Sequence, residues 1–189
     1  MNKKLNIAIA TLFLATASIA ATEEDSKYYV GIGGTTDSGG KFGYESPGDS
    51  YTVDSKTKSK IAKLGMLLDN GDRVELSYKS GDNTFTRIKY DTKNIGLNYK
   101  MFFEKPKVGS FTPYGVVGIG KHEFLIQPDS KTLKGKQWGA GVGGVYGIDN
   151  DLELEISAQR IEINYDIWIE GRDYSSTSNE LYLGVNYKL

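Results

Sequence analysis

Apolar and polar residues alternate without a break over the last ten positions of the chain. The odd positions carry Leu181, Leu183, Val185, Tyr187 and Leu189, and the even positions carry Glu180, Tyr182, Gly184, Asn186 and Lys188. Successive side chains of a β-strand point to opposite faces, so this segment is predicted to be a strand with one apolar and one mostly polar face. Earlier segments of the chain repeat the pattern.

Seven further strands are predicted from the same alternation. They span residues 27–35, 58–68, 73–79, 86–103, 111–124, 136–148 and 152–163. Tyr28, Val30 and Ile32 share the apolar face of the first strand. The register of the fifth strand stays open, because Val116 and Val117 favour opposite faces.

Short turns and longer connections alternate between these strands. Residues 69–72 (Asp-Asn-Gly-Asp) are predicted to be a tight turn, since Asn-Gly accepts the positive φ that hairpins need. Residues 149–151 (Asp-Asn-Asp) are predicted to be a second tight turn. Residues 36–57, rich in Gly, Ser and Asp, are predicted to form the longest loop, solvated and not a second domain. Short turns at one end and long loops at the other are characteristic of transmembrane β-barrels.

A soluble barrel of the lipocalin type is the main alternative, because it also has eight alternating strands but keeps its apolar face inside. Bulky aromatic residues near the ends of the apolar faces favour the membrane barrel, where such residues form girdles at both interfaces. The predicted girdle residues are Tyr78, Tyr99, Phe103, Trp138, Tyr146 and Tyr187.

The opposite faces combine glycine with charged residues, which suits the crowded interior of a small closed barrel. The predicted polar network of the lumen consists of Lys63, Glu75, Lys79, Asn98, Lys100, Glu153, Glu155, Glu180 and Lys188. Eight strands leave an interior just wide enough for side chains, and buried charges need partners. We therefore expect the network to fill the lumen, with a narrow polar path as the alternative.

The N-terminus has the pattern of a secretory signal peptide. Lys3 and Lys4 precede an apolar run over residues 5–14, and Ser18 and Ala20 are spaced as in a cleavage site. Cleavage after Ala20 would leave residues 21–189 as a single barrel domain. The chain has no cysteine and a net charge of −1, so thiol chemistry is excluded and nothing favours nucleic-acid binding.

No motif in the sequence indicates an enzyme, a cofactor or a metal site. Residues 115–121 match G-x-x-x-x-G-K and residues 139–144 match G-x-G-x-x-G, but both lie in predicted strands with no helix to bind phosphate. His122 is the one histidine, and no serine stands at the spacing of a catalytic triad. It is expected to lie near the outer rim of the barrel.

The chain resembles the small eight-stranded outer-membrane proteins, namely the OmpA-type membrane domain, the opacity-type proteins and the Ail/OmpX-type barrels. The resemblance is carried by residues 180–189, which look like the family's C-terminal assembly signal (Leu181, Leu183, Val185, Tyr187 and Leu189), and by the glycine-rich strand after Pro113. Leu189 departs from the aromatic residue that usually ends this signal.

The resemblance implies an all-β, eight-stranded, antiparallel up-and-down transmembrane barrel in the outer membrane of a Gram-negative bacterium. It implies a monomer whose partners are outer-membrane lipid, lipopolysaccharide and, during biogenesis, the barrel assembly machinery. A non-enzymatic role is expected, in membrane integrity and in contact with a host or surface ligand through the loops, where Tyr44, Tyr51 and Tyr174 lie. The alternatives are a small porin and a lipid-modifying barrel enzyme.

Overall fold

The computed structural model describes residues 27–37, 39–85, 88–126, 131–169 and 172–189. The predicted signal peptide, residues 1–20, lies outside these ranges. The described residues form nine strands: β1 (Tyr28–Asp37), β2 (Gly40–Ser46), β3 (Asp49–Leu67), β4 (Arg73–Phe85), β5 (Ile88–Phe102), β6 (Phe111–Ile126), β7 (Lys131–Gly147), β8 (Leu152–Ile169) and β9 (Arg172–Lys188). No helix among these residues is long and apolar enough to cross a membrane.

The nine strands fill eight positions of one closed antiparallel ring. β1 and β2 follow each other along the same position, since both pair with β3 on one side and with β9 on the other. From β3 onward each strand pairs with the next along the chain. The predicted eight-stranded up-and-down barrel is therefore confirmed, and the last strand closes against the first as expected.

The register of the ring sets the width of the barrel. Tyr187 pairs with Val30, and following the paired residues once around the ring leads back to β9 at Thr177, ten residues further along that strand. A stagger of this size with eight strands implies a strand tilt of about 40° and a backbone radius of about 8 Å. Such an interior holds side chains and little else.

The exposed apolar side chains of β1 and of β3 to β9 point outward in the middle of the barrel. Ile32 is 70% exposed and Leu183 is 65% exposed, whereas Lys100 and Glu155 are each only 1% exposed. A soluble barrel would show the opposite arrangement, since it must bury its apolar side chains. The distribution of exposed apolar and buried charged residues therefore matches a barrel whose outer surface faces lipid.

The connections β3–β4, β5–β6 and β7–β8 lie at the same end of the barrel as Leu189, whose backbone N–H donates to the Tyr28 carbonyl. Gly71 has a φ of 95° in the β3–β4 turn, so the predicted Asn-Gly turn is confirmed. The side chain of Asp149 accepts hydrogen bonds from two backbone N–H groups of the β7–β8 turn.

The strands extend further at the other end than the sequence predicts. The expected loop over residues 36–57 is a hairpin of β2 and the first part of β3, and β9 begins at Arg172 instead of near residue 180. Tyr44, Tyr51 and Tyr174 therefore lie in strands, and the expectation that they lie in loops was wrong. Beyond the apolar band the outward positions of these strands are polar and the inward ones include buried serines such as Ser55 and Ser176, so the alternation that identifies strands is weak there.

The register of β6, left open by the sequence, is resolved by the pattern of burial. Tyr114 and Val116 are buried in the lumen, and Val117 and Ile119 point outward. The ambiguity arises because apolar residues occupy both faces of this strand, and those on the inner face pack against Val145 and Phe102.

Candidate functional site

A first group of charged side chains lies in the lumen near the turn end. The Arg73 guanidinium donates two hydrogen bonds to the Glu153 carboxylate, with N–O distances of 2.7 and 2.9 Å. Lys188 lies at the edge of this pair, with its Nζ 3.0 Å from Glu153 Oε1. The guanidinium also lies over the rings of Phe102 and Tyr29, at 4.8 and 5.1 Å from their centroids. The Arg73 guanidinium is thus paired with a carboxylate and also packed against two aromatic rings.

A second group lies deeper and contains two lysines and two glutamates in alternation. Lys100 Nζ is 2.6 Å from Glu75 and 2.7 Å from Glu155. Lys63 Nζ is 3.2 Å from Glu155 and 3.6 Å from Glu75. All four residues are at most 4% exposed. Two cations facing two anions make this central cluster electrically neutral, which is what burial of charge requires.

Neutral side chains complete the hydrogen bonding of the two central carboxylates. The Tyr29 hydroxyl donates to Glu75 over 2.8 Å, and the Tyr114 hydroxyl donates to Glu155 over 2.5 Å. Asn186 Nδ2 donates to the second oxygen of Glu155 over 2.8 Å. Each carboxylate is therefore bonded to charged and to neutral donors, so neither is left without a partner in the low-dielectric interior.

Lumen glycines make room for the tyrosines of this cluster. A methyl group added at Gly143 would lie 2.6 Å from the ring and hydroxyl of Tyr114. Gly65 and Gly184 lie in the same way against Tyr29 and Tyr182. The interpretation of the glycines as space for lumen side chains holds at these positions, and the G-x-G-x-x-G pattern at residues 139–144 belongs to a strand.

The lumen becomes more open above the central cluster. Lys79 Nζ is 2.6 Å from Glu180, and Gln137 donates to Asn94 over 2.8 Å. Two cavities of about 50 and 20 Å³ lie beside these pairs. Cavities of this size hold single water molecules and no larger solute.

An aromatic cluster closes the lumen toward the end opposite the termini. Phe124 and Tyr165 are buried with Ile161 and Ile163, and Phe42, Tyr90 and Tyr174 pack against them. His122 lies below this cluster, 6% exposed, with its ring centroid 5.9 Å from that of Tyr165. The expectation of a histidine at the outer rim was therefore wrong, because His122 is on the inward face of β6.

All nine residues of the predicted polar network point into the lumen, with Lys188 at its edge. Sequence reasoning missed Arg73, Tyr29, Tyr114 and Asn186 as members. Arg73 and Asn186 could have been predicted, because each lies on the same strand face as a predicted member. Arg73 is two residues before Glu75, and Asn186 is two residues before Lys188. The tyrosines carry no such signal, since aromatic residues occur on both faces.

The predicted girdle residues lie on the outer surface. Phe103 is 80% exposed, and Trp138, Tyr146 and Tyr187 are about half exposed. The Tyr99 hydroxyl donates to the Asp72 carboxylate in the β3–β4 turn over 2.5 Å, which holds the ring near that end. Tyr78 is half-buried on the outward face of β4. A role of these residues at the membrane interfaces stays a prediction.

The turn carboxylate Asp72 is the centre of a small hydrogen-bonded group outside the spanning segments. Bonds from the Tyr99 hydroxyl, the Phe102 backbone N–H and the Asn70 amide stabilise its charged form and lower the pKa of Asp72 from its usual value. The group ties the β3–β4 turn to the end of β5.

Four of the five residues of the predicted assembly signal lie on the outward face of β9, and Leu189 follows directly after its end. Leu181, Leu183, Val185 and Tyr187 are exposed, and each even position between them points into the lumen. Recognition of this strand during assembly stays a prediction. Within the described ranges, no group of three His, Asp or Glu side chains is arranged to hold a metal ion.

Comparison with known proteins places the fold in a family. A family model described as "Outer membrane protein beta-barrel domain" matches residues 7–188. The chain belongs to this family. Comparison of the sequence with curated proteins gives no match.

Solved structures agree with the family assignment at the level of the fold. Neisserial surface protein A is 16% identical, with a TM-score of 0.61, over 88% of this chain and 100% of that one. OprG from Pseudomonas aeruginosa is 11% identical, with a TM-score of 0.57, over 87% and 96% of the two chains. The chain is thus a small β-barrel of the outer membrane of a Gram-negative bacterium, as the resemblance implied.

Proposed function

We propose that this outer-membrane barrel is a non-enzymatic protein that supports membrane integrity and contacts a host or surface ligand through its extracellular strand ends. In this proposal residues 21–189, freed of the signal peptide, form one monomeric barrel domain. Its partners are outer-membrane lipid, lipopolysaccharide and, during biogenesis, the barrel assembly machinery.

The filled lumen is the observation that carries the proposal. The central cluster of Lys63, Glu75, Lys100 and Glu155 occupies the width of the barrel, and its four side chains pair with one another. The two cavities that described residues line above it are water-sized, and the aromatic cluster around Phe124 covers them. A plug held by four paired charges favours a structural role over transport.

Planar-bilayer recordings of the pure folded protein test the filled lumen. We expect no large stable conductance, and a general porin in the same bilayers supplies the positive control. Stable openings on the nanosiemens scale would refute the plug and favour the small porin with a narrow polar path.

The environment of His122 supports the absence of enzymatic activity. Its ring is buried beneath the aromatic cluster, and neither ring nitrogen has a hydrogen-bond partner among the described residues. A catalytic histidine needs a nucleophile within hydrogen-bond reach and a group to orient the ring. Expression of the protein should leave the mass of lipid A unchanged; a mass shift that depends on the folded protein would instead favour a lipid-modifying enzyme.

A row of three tyrosines at the mouth of the barrel supports the surface-contact role. The Tyr44 ring centroid lies 6.0 Å from that of Tyr51 and 5.8 Å from that of Tyr174. Tyr51 is 55% exposed. Neighbouring aromatic rings with hydroxyl groups offer both stacking and hydrogen bonding to a ligand.

Adherence of cells that express the protein tests this contact. The triple variant Tyr44→Ser, Tyr51→Ser and Tyr174→Ser should lose most of any adherence that the wild-type protein confers. The outward variant Tyr28→Ser at the other end is the control and should keep it, because Tyr28 is 40% exposed and lies outside the predicted assembly signal. Equal adherence of both variants would remove the tyrosine row from the proposed function.

A further inference from the structure

Two lysines stand directly opposite each other on the outer surface of the barrel. Lys121 of β6 pairs with Lys136 of β7, and both side chains are exposed. Like charges at directly opposed positions of antiparallel strands destabilise the pair. Neither lysine forms an ion pair with another residue of the described ranges. The arrangement therefore leaves two adjacent cations available for an external anion.

Two more lysines extend this group. Glu123 lies two residues after Lys121 on β6, on the side away from the termini. Lys93 of β5 and Lys134 of β7 pair with Glu123 from its two sides. We call Lys93, Lys121, Lys134 and Lys136 the lysine patch. The nearby carboxylates are Glu123 and, opposite Trp138 on β8, Glu162, which forms an ion pair with Arg160 at 3.4 Å. Four lysines and Arg160 against these two carboxylates leave the patch with an excess of positive charge.

The lysine patch borders the apolar surface of the barrel. Ile119 of β6 pairs with Trp138 of β7, and this pair lies two residues nearer the termini than Lys121 and Lys136, about 7 Å away along the strands. They are 65% and 51% exposed on the same outward face. The pair of lysines lies on the side of these apolar residues that faces away from the termini, which is the extracellular side in this family.

We propose that the lysine patch is a binding site for the phosphate groups of lipid A, the membrane-embedded part of lipopolysaccharide, with an acyl chain lying against Ile119 and Trp138. This inference deepens the proposed function, on which it rests, by giving one of its lipid partners a site. Charge complementarity identifies the headgroup, because phosphate is the anionic group that lies at the outer leaflet just above the acyl chains. Tryptophan at that level suits the same boundary between apolar and polar regions.

The adjacent apolar pair distinguishes a lipid from a free anion. Inorganic phosphate contacts only the ammonium groups, whereas a phosphorylated lipid also covers Ile119 and Trp138. The site therefore needs both parts of the ligand for full affinity.

Fluorescence of Trp138 provides the binding assay, because Trp168→Phe leaves it as the single tryptophan of the folded protein. The full-length mature barrel in neutral detergent is titrated with bisphosphorylated lipid A, with the same lipid lacking both phosphates, and with inorganic phosphate. We expect the bisphosphorylated lipid to bind at least about tenfold more tightly than the dephosphorylated one. Inorganic phosphate at millimolar concentration should not displace it.

The variant Lys121→Gln/Lys136→Gln should lose this preference for the phosphorylated lipid. The control Lys105→Gln/Lys107→Gln removes the same charge from exposed positions of the β5–β6 connection and should keep it. Equal affinity of the wild type for both lipids, an unchanged preference in the patch variant, or displacement by inorganic phosphate would each overturn the site.

Failure of this site is distinguishable from failure of the proposed function. The bilayer recordings and the lipid A mass measurement test the plug and the absence of an enzyme, and neither depends on the lysine patch. A barrel that passes those two tests but shows no phosphate preference would refute the site alone.

Discussion

Glu155→Gln removes one charge from the centre of the lumen while keeping the shape of the side chain. Glu155 accepts hydrogen bonds from Lys63, Lys100, Tyr114 and Asn186, and its side chain is fully buried. The amide oxygen of glutamine can still accept from one neutral donor, Tyr114, but the amide nitrogen then faces Asn186 Nδ2, which is itself a donor. The two lysines, however, would share the single negative charge of Glu75.

The expected cost follows from leaving a buried cation without compensation. Breaking a buried ion pair by removing one partner costs about 3–5 kcal/mol, because the remaining charge stays desolvated. The outer-surface pair Arg160–Glu162, with a 3.4 Å separation and side chains 63% and 34% exposed, supplies the matched control. Glu162→Gln should cost at most about 1 kcal/mol, since an exposed pair gains little.

A double variant separates charge imbalance from loss of packing. Lys63→Met removes the more distant of the two lysines that bind Glu155, at 3.2 Å against 2.7 Å for Lys100. The double variant Glu155→Gln/Lys63→Met should therefore recover about 1–3 kcal/mol of the stability lost by Glu155→Gln alone.

Urea unfolding in lipid vesicles, followed by tryptophan fluorescence, measures these free energies. Gel mobility of unheated samples shows whether each variant is folded at the start. A loss below about 1 kcal/mol for Glu155→Gln, or an equal loss for Glu162→Gln, would refute the account of the buried network. A double variant that is less stable than Glu155→Gln would show that packing, and not charge, dominates.

Three further predictions concern other parts of the molecule. Gly143→Ala should lower the free energy of unfolding in urea by about 1–3 kcal/mol, because the methyl group would overlap the Tyr114 ring. Leu183→Lys should make folding into vesicles less favourable by about 2–4 kcal/mol, because it puts a charge on the lipid-facing surface. Asp72, whose pKa is lowered chiefly by its hydrogen bond from Tyr99, stabilises the fold above a pH of about 4, and this contribution is lost as the pH falls through its folded-state pKa. Asp72→Asn should therefore flatten the decrease in stability that the wild type shows between about pH 5 and 2.

Each of these variants has a control in the chain. Gly34→Ala adds a methyl group where the nearest atom is 3.5 Å away and should be tolerated. Ser175→Lys puts a lysine on an exposed position of the same strand, nearer the mouth, and should cost little. Asp69→Asn changes a carboxylate that is 94% exposed in the same turn as Asp72 and should leave the acid limb of the stability profile unchanged. A control that behaves like its partner would contradict the reason given for that prediction.

The starts of several strands follow from the sequence because the membrane imposes the alternation. The predicted first residues of β4, β6 and β8, at positions 73, 111 and 152, agree with the structure. The upper parts of β3 and β9 were missed, since the outward side chains there are polar and the inward ones mix serines such as Ser55 and Ser176 with Val53 and Tyr174. With so small a difference in polarity between the two faces, the periodic signal is too weak to identify a strand.

For the candidate site, too, some features of single residues were predictable from the sequence and others were not. The side of the strand was enough to assign Lys63, Glu75, Lys100 and Glu155 to the lumen. Their pairing was not predictable, because Lys63 and Glu155 are 92 positions apart and meet only through the register of the closed ring. Tyr114 could not be assigned at all while the register of its strand was open.

The sequence by itself determined which residues share a face, because the two-residue period of a strand depends only on local backbone geometry. Only the tertiary structure decided that ten residues of stagger set the radius, and that the central lysines and glutamates meet within hydrogen-bond distance. The physical reason is closure. The alternation of a strand is a local property of its own sequence. Its position along the barrel axis and its neighbours across the lumen are fixed only once the last strand has paired with the first.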